Sequence, residues 1–273
     1  MAKSTNKTET LSAQIMPIKT RRIIVHLCST SPLIMHRFAF KAWQELLYPS
    51  AKKNAAERAS SLKHDPLEEY RGCFYRNRDP KQPALFHLPN GMPHQSIAAA
   101  ALDMPGATRA SMERWTQVVD LNINLFGIPE MFMAMVRNSD INKTPDVRTR
   151  PIFPRWACKI EMEYKADPLT DTNVLNLIGA AGVIVGFGDW RPQRGGPYGK
   201  FRLCEHADKE YADIVKNEGK VAQLRAFEKP SYYDDDTTDL MEWFVAEVGR
   251  RRQDDAPINN GDDGAEIAPG GLQ

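Results

Sequence analysis

Residues 155–165, RWACKIEMEYK, alternate apolar and polar side chains, placing Trp156, Cys158, Ile160, Met162 and Tyr164 on one face. That period of two specifies a half-buried β-strand. A helix is expected straight after it over Thr170–Ala181. Thr170 or Asp171 can cap its start, Val174, Leu175, Leu177, Ile178 and Ala181 form a helical stripe, and Gly182 suits its end. A second strand is expected near the start, where Thr20–Ser29 (TRRIIVHLCS) is β-branched and apolar until Pro32 interrupts it. Strands and helices of different period, mixed along one chain, predict an α+β fold.

Between these anchors the pattern is more local. Phe40–Leu47 reads as a short helix, and 49–69, rich in Ala, Lys, Glu and Ser, as a mobile insertion. Arg71–Arg76 and Ala84–Leu88 read as short strands around an Asp79-Pro80 turn. Pro93–Leu102, with proline in its first turn and an alanine run behind it, reads as a helix, and so does the amphipathic Arg109–Val119. Leu121–Ile128 and Met131–Val136 are strand-like on either side of Pro129, Lys200–Glu205 reads as the last strand, and Asp239–Arg250 as an amphipathic helix. No internal repeat is visible. Both ends are polar: 1–19 and 253–273 are expected to be disordered tails, with 206–252 a helical extension before the second.

The net charge of +1 over 273 residues excludes a histone-like basic protein, so a nucleic-acid surface would have to be a local patch. No apolar run approaches the roughly 20 residues that span a bilayer, and 1–19 lacks the apolar core of a secretory signal, so a cytoplasmic protein without a membrane partner is expected. Cys28, Cys73, Cys158 and Cys204 form no CxxC pair and are not clustered with histidine. They read as reduced thiols, with no metal site and no cofactor expected.

The most informative segment is residues 186–202, GFGDWRPQRGGPYGKFR. Five glycines stand in residues 186–199, where they permit positive φ and close approach to a ligand. Arg191, Arg194, Lys200 and Arg202 supply cations, and Trp190 and Tyr198 flat faces, the combination that binds single-stranded nucleic acid. A tight turn whose glycines serve only packing is the alternative. The order helix, loop, strand is the reverse of a Walker loop, and no third glycine completes a dinucleotide GxGxxG. Three further clusters are candidates. Arg148 and Arg150, at i and i+2 of an extended segment, form a phosphate-contacting edge, unless Asp146 pairs with one of them on a solvated face. His36 and Arg37 follow the first strand, with contact to phosphate or ribose set against a connection plugged by Leu33, Ile34 and Met35. His36 alone is a candidate general base. The run Asn90–Ser96 opens the alanine-rich helix, whose N–H groups suit either a phosphate or ordinary capping.

Taken in order, SPLIMHRF, LPNGMPHQSIAAAAL, DVRTRP, a strand–helix pair and GFGDWRPQRGGPYGKFRL resemble the RAMP superfamily of CRISPR proteins, and within it the backbone subunits that line guide RNA. The chain also looks like phage and prophage proteins with the same order of segments. The resemblance covers about 20–40 and 84–205. It rests chiefly on Gly186, Gly188, Gly196, Gly199 and Phe201 of the loop, with Pro93, Ser96 and the alanines behind them. It implies a ferredoxin-like, RRM-like core over 20–205 with insertions and a late glycine-rich loop. The implied role is binding of single-stranded RNA, or else DNA, in contact with Arg37, Arg148, Arg150, Gly188, Trp190, Arg191, Arg194, Gly195, Gly196, Tyr198, Lys200 and Arg202. It further implies head-to-tail packing of copies, with 49–69 reaching across like a thumb, and CRISPR or phage proteins as partners. Backbone subunits that cut RNA carry an acidic residue after the first strand. Ser29–Phe38 holds none, so binding is implied and cleavage is not. The alternatives are a metal-independent endoribonuclease using His36 and a phage assembly protein that binds no nucleic acid. The tail, with Asp254, Asp255, Asp262, Asp263 and Glu266 and no basic residue, reads as a solubilising or partner-recruiting segment.

Overall fold

A computed structural model describes residues 17–37, 47, 64–137 and 145–254. The expected tails (1–16 and 255–273), most of Phe40–Leu47 and residues 49–63 of the insertion lie outside the described residues. In chain order the elements are β1 (Thr20–Ser29), β2 (Leu33–Ile34), α1 (Pro66–Gly72), β3 (Phe86–Pro89), α2 (Gly91–Ala100), α3 (Arg109–Trp115), β4 (Thr116–Val118) and β5 (Asn122–Phe126). There follow β6 (Glu130–Arg137), β7 (Pro145–Phe153), β8 (Ala157–Lys165), α4 (Asp171–Ala180), β9 (Phe201–Cys204), α5 (Lys209–Asn217), α6 (Lys220–Glu228) and α7 (Asp235–Asp254). The protein is thus an α+β fold built on antiparallel sheets.

The main sheet runs β3-β5-β8-β1-β9, with β4 on β8 beside β5. Its centre is the pair that the sequence pattern marks most clearly. β1 and β8 run antiparallel from Thr20↔Lys165 to Cys28↔Ala157, and β9 adds to the other side of β1 from His26↔Cys204 to Ser29↔Phe201. Trp156, Cys158, Ile160, Met162 and Tyr164 are all buried, in one core with Ile97–Ala101 of the alanine run and Val174, Leu177 and Ile178 of α4. Short alanines let α2 pack close to α4, and burial of these side chains is the main stabilisation of the fold. On the opposite face Tyr211 and Ile214 of α5 cover Cys28 and Ala157, while nearer the start of β1 Arg22 pairs with Glu161 and Glu163.

A smaller sheet, β2-β7-β6, stands beside the first. It is held by α1, whose Glu69 accepts from the Thr149 N–H at 3.0 Å, and by α7, whose Thr237 hydroxyl accepts from the Met133 N–H at 3.1 Å. Gln223 of α6, fully buried, donates to the carbonyls of Leu125 and Gly127 and accepts from the Leu85 N–H, tying α6 to the main sheet. Helices α5 and α6 and the start of α7 are therefore packed against the sheets.

Three local expectations are corrected. Arg71–Arg76 is not a strand: Asp65 accepts from the N–H groups of Leu67 and Glu68, Pro66 occupies the first turn, and helix runs to Gly72, leaving one bridge, Arg76↔Phe86. A helix cap outweighs short-range strand propensity here. The helix expected over Arg109–Val119 ends at Trp115, because Thr116–Val118 joins β8 as β4. Gly182 does not end α4, although Thr170 caps its start as expected. The chain continues through a π-type turn, Ala181–Val185, and stops at Gly186, with φ +73°. Gly182 is required instead for contact, since a Cβ there would lie 2.2 Å from the Phe201 carbonyl oxygen.

Candidate nucleic-acid interface

The glycine-rich loop is folded on itself. Phe187 is buried and packs against Phe201 with tilted rings, centroids 4.3 Å apart, its N–H bonding to the Gly199 carbonyl. From that foot the loop docks on the connection after β1. The Asp189 N–H bonds to the Ile34 carbonyl, and the N–H groups of Gly199 and Lys200 bond to the Pro32 carbonyl and the Ser31 hydroxyl. Gly188 and Gly199 combine positive φ with contact that excludes a Cβ: one would stand 2.4 Å from the Ile34 oxygen, the other 1.9 Å from the Phe187 oxygen. Most of the glycine content thus serves packing of the loop. Gly195, with φ +77° and no neighbour, serves conformation alone.

That packing presents Trp190. It is 43% exposed and held at φ +53°, alone among the described non-glycine residues in having positive φ. An aromatic residue in this region is rare and costs roughly 1–2 kcal/mol. The Tyr198 N–H bonds to its carbonyl, and the two rings lie 5.9 Å apart, with Tyr198 in turn 6.2 Å from Phe132. Arg191 precedes the 3-10 turn Pro192–Arg194 and Arg194 ends it. Arg191 is fixed by donation to the Gly188 carbonyl at 3.0 Å and to the Gln193 side chain, and burial, with Arg194 close by, pulls its pKa down.

The segments singled out in the sequence meet at this loop. Ile34 bridges to Asp189, and β2 pairs with β7, so the His36–Arg37 connection and the Arg148–Arg150 strand border the loop's acidic residue. Arg150 forms an ion pair with Asp189, and His36 Nδ1 lies 3.8 Å from the same carboxylate. Burial and the neighbouring Arg150 lower the His36 pKa, against a smaller pull from Asp189. From the fourth cluster, Ser96 donates to the Gly186 carbonyl at 2.9 Å, locking α2 under the loop.

The cations are not equivalent. Arg148 pairs with Asp146 at 3.0 Å, and His64 bridges Glu69 and Asp146 at 2.5 and 2.9 Å. Arg202 binds Asp208 and Glu210, which raise its pKa. Arg37 is exposed and lies close enough to Tyr75 and His87 to perturb both. Lys200 is half-buried. Cys28, Asp208 and Glu210 are close enough to share a metal ion, but Arg202 already engages both carboxylates and burial pushes the Cys28 thiol up to about 12, so the set is poorly suited to a cation. Sequence reasoning missed Asp189 as the residue joining three of the clusters. It also missed Arg109, which shares a cleft with Arg191, Arg194 and Gln95 of the Asn90–Ser96 run; Arg109 carries no local signal, because a helix brings it there.

No protein-family model matches the chain, and no curated protein matches it. Among the described residues, no helix is long and apolar enough to cross a membrane.

Proposed function

We propose that this protein binds single-stranded nucleic acid, RNA ahead of DNA, on the face formed by Trp190, Tyr198, Arg191 and Arg194, and that it is a RAMP-like backbone-type module. The observation that carries the reading is Trp190. An exposed indole in a strained backbone conformation, braced by a tyrosine and followed in the chain by Arg191 and Arg194, stabilises nothing in the core. On this reading it serves as a base-stacking platform, with the nearby cations meeting phosphate. Stacking on such a ring contributes about 1–3 kcal/mol per base.

The topology supports the same reading. β1 lies between β8 and β9, β4 and β5 together flank β8, and helices stand between β1 and β4 and between β8 and β9, all antiparallel. We read that order as a ferredoxin-like β-α-β-β-α-β core in which the second strand is broken in two, with the β6–β7 hairpin as an insertion. Copies packed head to tail along one strand fit this role.

The test is fluorescence anisotropy of labelled single-stranded RNA and DNA at several salt concentrations. For a site using two arginines on phosphate, Arg191→Ala/Arg194→Ala weakens binding and reduces the slope of log K against log salt by about 1.4. No binding by the wild type at low salt would refute the proposal.

A second reading is favoured by the His36–Asp189 pair with Arg150 beside it: His36 takes the 2′-hydroxyl proton as that oxygen bonds to the adjacent phosphorus, the bond to the 5′-oxygen breaks and that oxygen takes a proton from water, while the guanidinium meets charge on the phosphate. Cleavage of RNA that is lost in His36→Ala and blocked by a 2′-deoxy substitution would support it.

A further inference from the structure

A cleft of about 330 Å³ separates the loop from α2 and α3, lined by Gln95, Ala99, Arg109, Arg191, Gln193 and Arg194. Three of its six lining residues are arginines, two are amides, and none is acidic. Ala99 of α2 is buried and has too small a side chain to fill the space. Three guanidinium groups from two separate parts of the chain repel one another unless an anion lies between them.

Their existing partners define what is left over. Arg109 is paired through Nε with Glu113 at 2.8 Å, which meets one of the three charges from outside the cleft lining. Arg191 uses Nε, Nη1 and Nη2 once each on Gly188 and Gln193, leaving two of its five N–H donors. Among the described residues the Arg194 guanidinium has no hydrogen-bond or ion-pair partner. Glu113 offsets Arg109, and Asp189, which also acts on Arg191, is taken up by its ion pair with Arg150, so two positive charges remain over one concave space. That balance matches a phosphomonoester, which carries nearly two negative charges at neutral pH, better than an internal phosphodiester, which carries one.

We infer that the cleft between α2, α3 and the Pro192–Arg194 turn is a phosphomonoester site, in which Arg109, Arg191 and Arg194 hold the phosphate and Gln95 lies within its rim. The phosphate is carried by the end of a nucleic-acid strand or by a free nucleotide. Because Arg191 and Arg194 also belong to the proposed nucleic-acid face, the inference deepens that reading: a strand lying on Trp190 would have its phosphorylated end in the cleft. Arg109 sets the preference for an end over the middle of a strand.

The experiment uses the full chain and four probes: otherwise identical labelled oligonucleotides ending in 5′-phosphate, 3′-phosphate or hydroxyl only, and unlabelled adenosine monophosphate followed by calorimetry. One phosphorylated end is expected to bind about tenfold more tightly than the hydroxyl-only strand, the size of one additional charge-assisted contact. Arg109→Ala abolishes that preference, Arg109→Lys restores part of it, and Arg225→Ala, a charge change at an exposed position of α6, leaves it intact. Thermal melting of each variant checks folding. Equal affinity for all strand ends, together with no binding of adenosine monophosphate, overturns the site while leaving the nucleic-acid reading standing. Arg109-dependent binding of adenosine monophosphate with no binding of any oligonucleotide upholds the site and overturns the nucleic-acid reading.

Discussion

Asp189→Asn separates the two roles of the loop's acidic residue, because it should move stability and affinity in opposite directions. Asp189 pairs with Arg150, whose side chain is 18% exposed, stands 3.8 Å from His36, and accepts from the Trp190 N–H at 3.0 Å. Asparagine keeps the size and an oxygen for that N–H but removes the charge. The pair lies between the exposed case, worth about 0.2–1 kcal/mol, and the buried case, where loss of one partner costs about 3–5 kcal/mol, so a loss of about 1–2 kcal/mol is expected. The same change releases a cation beside Trp190. One added charge about 8 Å from a phosphate in a water-like dielectric contributes roughly 0.5 kcal/mol, a two- to threefold gain at low salt. If Arg150 then takes a phosphate of its own, the salt slope steepens by about 0.7. Urea denaturation reads the first effect, and anisotropy at several salt concentrations the second. Affinity that falls with stability, or that does not respond, would refute the placing of Arg150 and Asp189 at the binding face.

Other outcomes follow from particular contacts. Gln223→Leu removes three buried hydrogen bonds and orphans their partners, so it should cost about 2–4 kcal/mol in urea denaturation. Gly199→Ala, whose Cβ would meet the Phe187 oxygen, should destabilise the loop well beyond Gly195→Ala, which meets nothing and bears only the left-handed strain of about 1–2 kcal/mol; thermal melts of both variants test the order. The pKa values of His26, His36 and His87 are all lowered, each chiefly by burial. The unfolded chain therefore binds more protons than the folded one as pH falls through the ordinary histidine value of about 6.5, so stability present above it should decline in denaturation series below it. His87→Phe should flatten part of that decline and remove the unpartnered buried Nδ1; an unchanged pH profile would contradict the assignment.

The period-two run at 155–165, the capped stripe at 170–181 and the apolar opening strand were legible because each buries one face along its whole length, so the pattern repeats in the sequence. The glycine-rich loop was legible as a ligand-binding candidate by composition, but not in what its glycines do. Gly182, Gly188 and Gly199 are needed because backbone from Phe201, Ile34 and Phe187 passes within contact distance, and no residue near them announces that approach. Likewise, apart from the nearby Asp146 that marks a partner for Arg148 or Arg150, the sequence presents Arg148, Arg150, Arg191, Arg194, Lys200 and Arg202 as interchangeable cations. Only the tertiary structure distinguishes them, since it pairs Arg150 with Asp189 and Arg202 with Asp208 and Glu210, and brings Arg109 across to Arg191 and Arg194. Secondary structure follows from local periodicity, which a single chain displays openly. The Arg150–Asp189 pair joins residues 39 apart in sequence, and the approach of Arg109 to Arg191 and Arg194 spans more, so those distances exist only once the sheets and helices have packed.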